Sequence, residues 1–144
     1  AILTCPETWA SESRRIKGIQ TNTTEANLTE KTGKDALCCS YYPLYSHRSK
    51  GTMVSKTAIP AGIVPTIPAG ALIPKGSHNL LVGGRCISGE REAFSSYRIQ
   101  ATCMATGQAA GALAIDLVHR DVSAADYDSD AVKNILLEND AIVP

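Results

Sequence analysis

The first third of the chain alternates polar runs with short apolar groups, and this pattern predicts small, separate elements. Residues 1–35 are broken up by Thr, Asn and Glu. Residues 29–39 have the pattern of a short helix, which Gly33 weakens because an interior glycine costs roughly 1 kcal/mol relative to alanine. Residues 41–47 contain three tyrosines close together, a composition that predicts a half-buried edge strand.

Prolines and glycines dominate the middle of the chain. Residues 57–76 carry four prolines, which exclude a helix and predict extended segments with turns at the glycines. The apolar run at residues 79–82 predicts a short strand buried on both faces. Gly83 and Gly84 follow it directly, and glycines in that place let the backbone approach a neighbour closely. The polar residues 88–97 then predict a turn-rich loop.

An alanine-rich segment follows, and residues 98–118 predict one long helix. Cys103, Gly107, Gly111 and Ala114 fall at steps of four, four and three, which places them on one helical face. A face without bulk lets another backbone pack unusually close, and such packing would offset the low helix propensity of the glycines. Tight helix–helix packing without a ligand explains the pattern equally well.

The last residues predict the end of a domain. Residues 123–130 are acidic and polar, with Ser and Asp suited to helix capping. Residues 132–137 then predict a short terminal helix that docks on the core.

Composition and charge narrow the function classes. Hydrophobic residues make up 44% and charged residues 19% of the chain, which is typical of one globular domain. Lys plus Arg equals Asp plus Glu at 14 each, and no basic run is interleaved with aromatic residues. This balance argues against a nucleic-acid partner, whose phosphates need neutralising, and against a polybasic membrane-surface module.

The cysteines predict neither a metal site nor a disulfide framework. They are odd in number and irregularly spaced, and none forms a CxxC pair. We expect reduced thiols in a reducing, cytoplasmic environment. The five positions are Cys5, Cys38, Cys39, Cys86 and Cys103.

One segment, residues 99–118, is long enough to span a membrane. It carries Gln100, Gln108 and Asp116, and polar groups inside a span are costly. The sequence therefore predicts a buried helix of a soluble domain and no membrane span.

The predicted strand at residues 79–82 is followed by Gly83 and Gly84, here called the glycine loop, and then by the start of the long helix. This order of elements is typical of a site for an anion or a dinucleotide. The free N–H groups at the start of a helix carry partial positive charge and face the crevice at the end of the strand.

Four stretches of this region carry a resemblance to a known family. They are residues 79–88 (NLLVGGRCIS), residues 92–93 (EA), residues 96–98 (SYR) and residues 102–111 (TCMATGQAAG). Together they resemble the C-terminal segment of FAD-dependent oxidoreductases, the flavoproteins of glutathione-reductase-like fold with two dinucleotide-binding domains. Residues 67–76 match the same block. Weaker similarity to the family's substrate-side region lies at residues 12–16 and 42–47.

The resemblance implies an α/β fold, here an α+β fragment. This fragment would be the C-terminal part of a FAD-binding Rossmann-like fold with adjoining irregular β segments. Residues 1–66 would belong to the substrate-side β region, and residues 67–122 would form the FAD-contacting strand, loop and helix. Residues 123–144 would form the terminal helix and tail.

The resemblance also implies FAD as the cofactor and assigns residues to it. His47, as a proton carrier, and Arg15, as a carboxylate-binding group, are catalytic candidates on the substrate side, with ordinary surface roles as the alternative. The implied FAD contacts are Gly83, Gly84, Arg85, Ser96, Arg98, Ile99 and Gln100.

The sequence departs from the family in one respect, because no GxGxxG loop for the FAD pyrophosphate occurs in it. We therefore expect the chain to be the C-terminal portion of a FAD-dependent oxidoreductase, inactive alone and partnered by the remainder of the flavoprotein. The alternative is a non-catalytic domain derived from the flavoprotein fold that forms a homo-oligomer.

Overall fold

A computed structural model describes residues 14–29, 33–47 and 54–144, with the side chains of residues 46, 47, 54 and 55 outside this description. The four described α-helices are α1 (Thr24–Thr29), α2 (Arg91–Tyr97), α3 (Gln100–Arg120) and α4 (Ser129–Glu138). The four described strands are β1 (Ala36–Cys39), β2 (Leu44–His47), β3 (Val54–Thr57) and β4 (Thr66–Pro68). This mixture of helices and small sheets agrees with the α/β class.

The strands form two antiparallel pairs, β1 with β4 and β2 with β3. The strand predicted from the tyrosines is confirmed as β2, and the proline-rich segment is extended at β4, with turns at Gly62 and Gly76 that have positive φ. The prediction of a short helix over residues 29–39 is wrong for residues 36–39, which form β1. Residues 36–38 are buried in β1 instead, because pairing and burial override local helix propensity.

The long helix α3 is confirmed and supplies one wall of the core. Its buried side packs against β1 and α4, and the terminal helix α4 buries Val132 and Leu136 there. As predicted, Asp128 caps α4 by accepting N–H groups from Asp130 and Ala131. The buried residues of α3 are Thr102, Thr106, Ala109, Ala112, Leu113, Asp116 and Leu117.

Two predictions around this core are wrong. Residues 79–82 form no strand, and Leu80 is 54% exposed. A strand needs a neighbouring strand to accept and donate its backbone hydrogen bonds. Among the described residues, this run makes only the backbone bond from Val82 N to Leu72 O. The predicted loop at residues 88–97 contains α2, which buries Phe94 and Tyr97.

The N-terminal segment runs along the middle of the chain. Ile16 N donates to Cys86 O at 2.8 Å, Ile19 N donates to Ile73 O at 3.0 Å, and Asn22 N donates to Ser88 O at 3.2 Å. The bonds from Ile16 and Asn22 hold residues 86–88, which follow the two glycines, against the segment at residues 16–22, and the bond from Ile19 holds that segment against residue 73.

One described helix, α3, is long and apolar enough to cross a membrane by length and composition, with a mean hydropathy of 1.2. The core helix of a soluble protein meets the same criteria, and α3 contributes a buried side to the core. Its Asp116 is 5% exposed and pairs with Arg120 at 2.6 Å.

Candidate functional site

The glycine loop docks directly on the backbone of α3. Gly84 N donates to Thr106 Oγ1 at 2.8 Å, and the same hydroxyl donates to Cys103 O at 2.9 Å. A Cβ added at Gly83 would lie 3.0 Å from the Cα of Gly107, tighter than most packed side-chain contacts. Glycine at position 83 is therefore favoured by the approach of the loop to the helix, as the sequence pattern indicated.

Thr106 is the residue of this junction that sequence reasoning missed. It is fully buried. Its hydroxyl links the loop to the helix, because it accepts from Gly84 N and donates to Cys103 O. A threonine in a long helix carries no sequence signal for this role, because the role depends on where the loop docks.

Gly84 has φ +80°, a left-handed conformation that costs other residues about 1–2 kcal/mol. Gly84→Ala should therefore destabilise the chain by about 1 kcal/mol, because its Cβ would meet only Cys103 Cβ at 3.9 Å and the penalty is purely conformational. Urea denaturation measures this loss, and hydrogen exchange at residue 84 should accelerate.

Gly76→Ala is the matched control, since Gly76 has φ +82° and open space around its Cβ. It should lose similar stability without accelerating exchange at residue 84. Equal exchange at residue 84 in both variants would contradict a specific dependence of the loop on Gly84.

The N-terminus of α3 adjoins this loop. Ile99 is its half-buried N-cap and provides no side-chain cap, while Gln100 is exposed. The N–H groups of Gln100, Ala101 and Thr102 have no acceptor among the described residues. This end of a 21-residue helix therefore presents partial positive charge to any neighbour.

The predicted site residues at the α2–α3 junction differ in accessibility. Arg85 is exposed beside the loop and Arg98 is half-buried at the end of α2. Ser96 is fully buried, its hydroxyl donates to Ala93 O at 2.8 Å, and its carbonyl accepts from Ser40 at 3.0 Å. The structure thus brings Gly83, Gly84 and the helix start together at the surface and places the Ser96 side chain beneath it.

The two catalytic candidates lie on segments that contact α2. The guanidinium of Arg15 stacks 4.8 Å from the centre of the Phe94 ring, and its Nη1 is buried without a partner among the described residues. His47 ends β2, which α2 anchors through a bond from Tyr45 N to Ser95 Oγ at 2.8 Å. The side chain of His47 lies outside the described part, so its role stays a prediction.

The four described cysteines are free, and no group of metal-ligand residues occurs in the part of the chain that the structure describes. Cys38 is 3% exposed. Burial, and secondarily the charge of Cys39, raises the pKa of the Cys38 thiol from 9.0 to about 12. Cys86, in contrast, is exposed.

These environments predict how stability depends on pH. The unfolded chain releases the Cys38 proton near pH 9 and the folded chain holds it up to about pH 12. Stability should therefore fall as pH rises through this window, by up to about 1.4 kcal/mol per pH unit. Cys38→Ala should make the decline shallower in alkaline denaturation curves, whereas Cys86→Ala should leave it unchanged. An identical decline in both variants would contradict the assignment to Cys38.

The small-residue face of α3 is open. Gly107, Gly111 and Ala114 are exposed, and a Cβ at either glycine would meet nothing within 4 Å. The exposed side chains of Ile115 and Val118 continue this surface. No described segment covers the side-chain direction of these glycines.

A family model described as FAD dependent oxidoreductase matches residues 6–136, which is most of the chain. No curated protein and no solved structure matches this chain. The match spans the glycine loop, both helices of the junction and the segments at residues 12–16 and 42–47. With the loop–helix junction described above, it shows that this chain belongs to the FAD dependent oxidoreductase family, whose complete proteins bind FAD.

Proposed function

We propose that this chain is the C-terminal portion of a FAD-dependent oxidoreductase of glutathione-reductase-like, Rossmann-like fold, and that it helps to close the flavin site. The observation that carries the proposal is the docking of Gly83 and Gly84 on α3 beside an uncapped helix N-terminus. This junction combines close backbone approach with partial positive charge, the two features that a dinucleotide needs from a protein.

The residues present fit FAD. The half-buried backbone at Gly84 and the exposed side chain of Arg85 are suited to the pyrophosphate and ribityl region. Ile99 and Gln100 would lie against the flavin ring, and Arg98 would support them from the end of α2. Ser96 would act from beneath the surface, by fixing the junction and not by direct contact, because its hydroxyl is bonded to Ala93 O.

FAD supplies the redox chemistry when bound, and the chain supplies placement and electrostatics. The unpaired N–H groups of Gln100, Ala101 and Thr102 favour negative charge at the start of α3. They would stabilise the charge that develops on reduction. Arg15 and His47 remain the candidates on the substrate side.

Two exposed features support a partner segment from the same flavoprotein. The face at Gly107 and Gly111 is open to a closely packed backbone, and the apolar run at residues 79–82 has the sequence of a buried strand but lies exposed at Leu80. A strand and helix from the remainder of the flavoprotein would cover both surfaces and complete the FAD site.

The test is retention of FAD by the purified chain. The chain is mixed with FAD and desalted, and the visible absorbance of the flavin is recorded. We expect a colourless protein, because the pyrophosphate loop of the site is not in this sequence. Retained flavin that Gly84→Ala weakens, but Gly76→Ala does not, would contradict the proposed division of the site while keeping the junction as its location.

The open face of α3 also favours the second candidate, a homo-oligomer in which two copies bury their glycine faces. Light scattering after size exclusion separates the two. A monomer at all concentrations supports the flavoprotein portion. A dimer that Gly111→Leu dissociates supports the non-catalytic domain.

A further inference from the structure

Two of the free cysteines belong to the contact between the glycine loop and α3. Cys86 ends the 3₁₀ turn Gly84–Cys86, which packs against α3. Cys103 lies on α3 itself, and its Cβ is 3.9 Å from the position that a Cβ would take on Gly84. The carbonyl of Cys103 is part of the same junction, because it accepts from the Thr106 hydroxyl that holds Gly84 N. The fold of the loop therefore brings the two cysteines together, although α2 separates them along the chain.

Both thiols are accessible, and neither has a strong hydrogen-bond partner. Cys86 is exposed and Cys103 is half-buried. The Cys86 Sγ turns back and donates to Gly83 O at 3.3 Å, towards the residue whose backbone approaches α3. The Cys103 Sγ donates to Tyr97 O at 3.8 Å. Because a thiol is a weak donor, either side chain can turn towards the other with little loss of hydrogen bonding.

The charges at the junction act on both thiols. Burial raises the pKa of the Cys103 thiol, the charge of Arg85 opposes that rise, and a thiolate at Cys86 adds to it. An effect of one thiolate on the other requires the two sulfur atoms to lie close together, because the energy between two charges falls with their separation. Cys86 is the more exposed of the two, so a reagent from solvent reaches it first.

The other cysteines are poorer candidates for a bond. Cys38 is buried, and burial raises the pKa of its thiol to about 12, so it carries little reactive thiolate near neutral pH. Cys38 and Cys39 are adjacent in β1, where successive side chains point to opposite faces and cannot meet. Cys5 lies outside the described residues. Within the part of the chain that the structure describes, Cys86 and Cys103 are the pair suited to bond formation.

We propose that Cys86 and Cys103 form a reversible disulfide, with a low-molecular-weight disulfide as the oxidant. The Cys86 thiolate attacks one sulfur of the oxidant, forms a mixed disulfide and releases one small thiol. The Cys103 thiolate then attacks the Cys86 sulfur, forms the intrachain bond and releases the second small thiol. The two protons of the cysteine thiols pass to the two released thiolates, so the chain loses two electrons and the oxidant gains them.

The bond would fasten the glycine loop to α3 beside the hydrogen bond between Gly84 and Thr106. Oxidation should therefore make the docked loop open less often than it does in the reduced chain, and hydrogen exchange at residues 84–86 should slow. The proposal goes beyond the proposed function and does not depend on it, because it rests on contacts within this chain and on thiol chemistry alone.

The test is to equilibrate the chain with hydroxyethyl disulfide and β-mercaptoethanol, quench it with iodoacetamide and digest it with trypsin. Cleavage after the arginines isolates Cys86 in the peptide of residues 86–91 and Cys103 in the peptide of residues 99–120. Mass spectrometry then detects the linked pair directly. We expect the equilibrium constant for this link to be at least about tenfold larger in the folded chain than in denaturing urea, or about 1.4 kcal/mol. The oxidised chain should accordingly unfold at a higher urea concentration.

Two variants and a control test the pairing. Cys86→Ser, at an exposed position, should abolish the linked peptides and the shift in the urea midpoint while the chain stays folded. Cys103→Ser should also abolish the link, and Cys86 should then accumulate the mixed disulfide with β-mercaptoethanol. Cys39→Ser is the matched control, since Cys39 is half-buried and lies outside the loop, and it should change neither the link nor the midpoint shift.

Absence of the linked peptides from the oxidised folded chain would overturn the proposal, as would a link that is no more stable there than in urea. A dominant link from Cys86 to any other cysteine would overturn the pairing. FAD retention is measured on the reduced chain, so failure of the proposed flavin role is distinguishable from failure of this disulfide.

Discussion

Replacing both Gly107 and Gly111 with alanine is expected to make this chain more stable, by about 2 kcal/mol in the free energy of unfolding. Each glycine lies inside α3, where alanine is favoured by about 1 kcal/mol. The added methyl groups would meet nothing within 4 Å, so no clash opposes the gain. Urea denaturation should show a higher midpoint with an unchanged slope.

Ala114→Gly is the matched control, since Ala114 is exposed on the same face of the same helix. It should lose about 1 kcal/mol through the same propensity term. A loss of stability in Gly107→Ala and Gly111→Ala would contradict the open face, because it would require a packed neighbour at those positions.

The same double substitution should have the opposite effect in the complete flavoprotein. There, the methyl groups would enter the interface that we propose between α3 and the remainder of the chain, and overpacking a tight interface typically costs about 1–3 kcal/mol. FAD content per protein should therefore fall while the isolated chain is stabilised. Stabilisation in both forms would contradict the proposed packing on this face.

Gly89→Ala is expected to destabilise the chain by about 3 kcal/mol. Its Cβ would overlap the hydroxyl oxygen of Tyr97 and lie 2.7 Å from the adjacent ring carbon. Tyr97 is fully buried and its ring packs edge-on against Phe94 at 5.3 Å, so it has no room to withdraw. Thermal and urea unfolding would measure the loss.

Tyr97→Phe should relieve part of this clash and therefore couple to Gly89→Ala. The Tyr97 hydroxyl is buried without a hydrogen-bond partner among the described residues, and removing such a group should by itself stabilise the chain by about 1 kcal/mol. In the double variant the loss should be smaller than the sum of the two single changes. Additive effects would contradict the contact between Gly89 and Tyr97.

The sequence predicted those elements whose signals are local. α3 was predictable because its alanine-rich run is long enough to exclude a strand, and α4 because Asp128 caps it. The missed helix α2 had a partial signal, since Ala93, Phe94 and Tyr97 share one face. Its serines hid that signal, because their polarity suggested a loop, whereas Ser95 and Ser96 bond to carbonyls within α2.

The errors and omissions elsewhere have a non-local cause. Residues 79–82 have the composition of a buried strand, but strand formation depends on a partner that composition does not reveal. The glycine loop was identified from Gly83 and Gly84, whereas the role of Thr106 was not. That role depends on which distant segments meet on α3, and one sequence contains no information on those pairings.

The hydrogen bonds from residues 16–22 to residues 70–90 carry a consequence for how the chain acquires its site. Both two-stranded sheets lie between these segments along the chain, so residues 86–88 contact the N-terminal segment only after a large ring of chain has closed. Closing such a ring costs entropy before any contact compensates. This pairing should therefore form late in folding, and removal of the segment at residues 16–22 should free residues 86–88 while the glycine loop stays docked on α3 through Thr106.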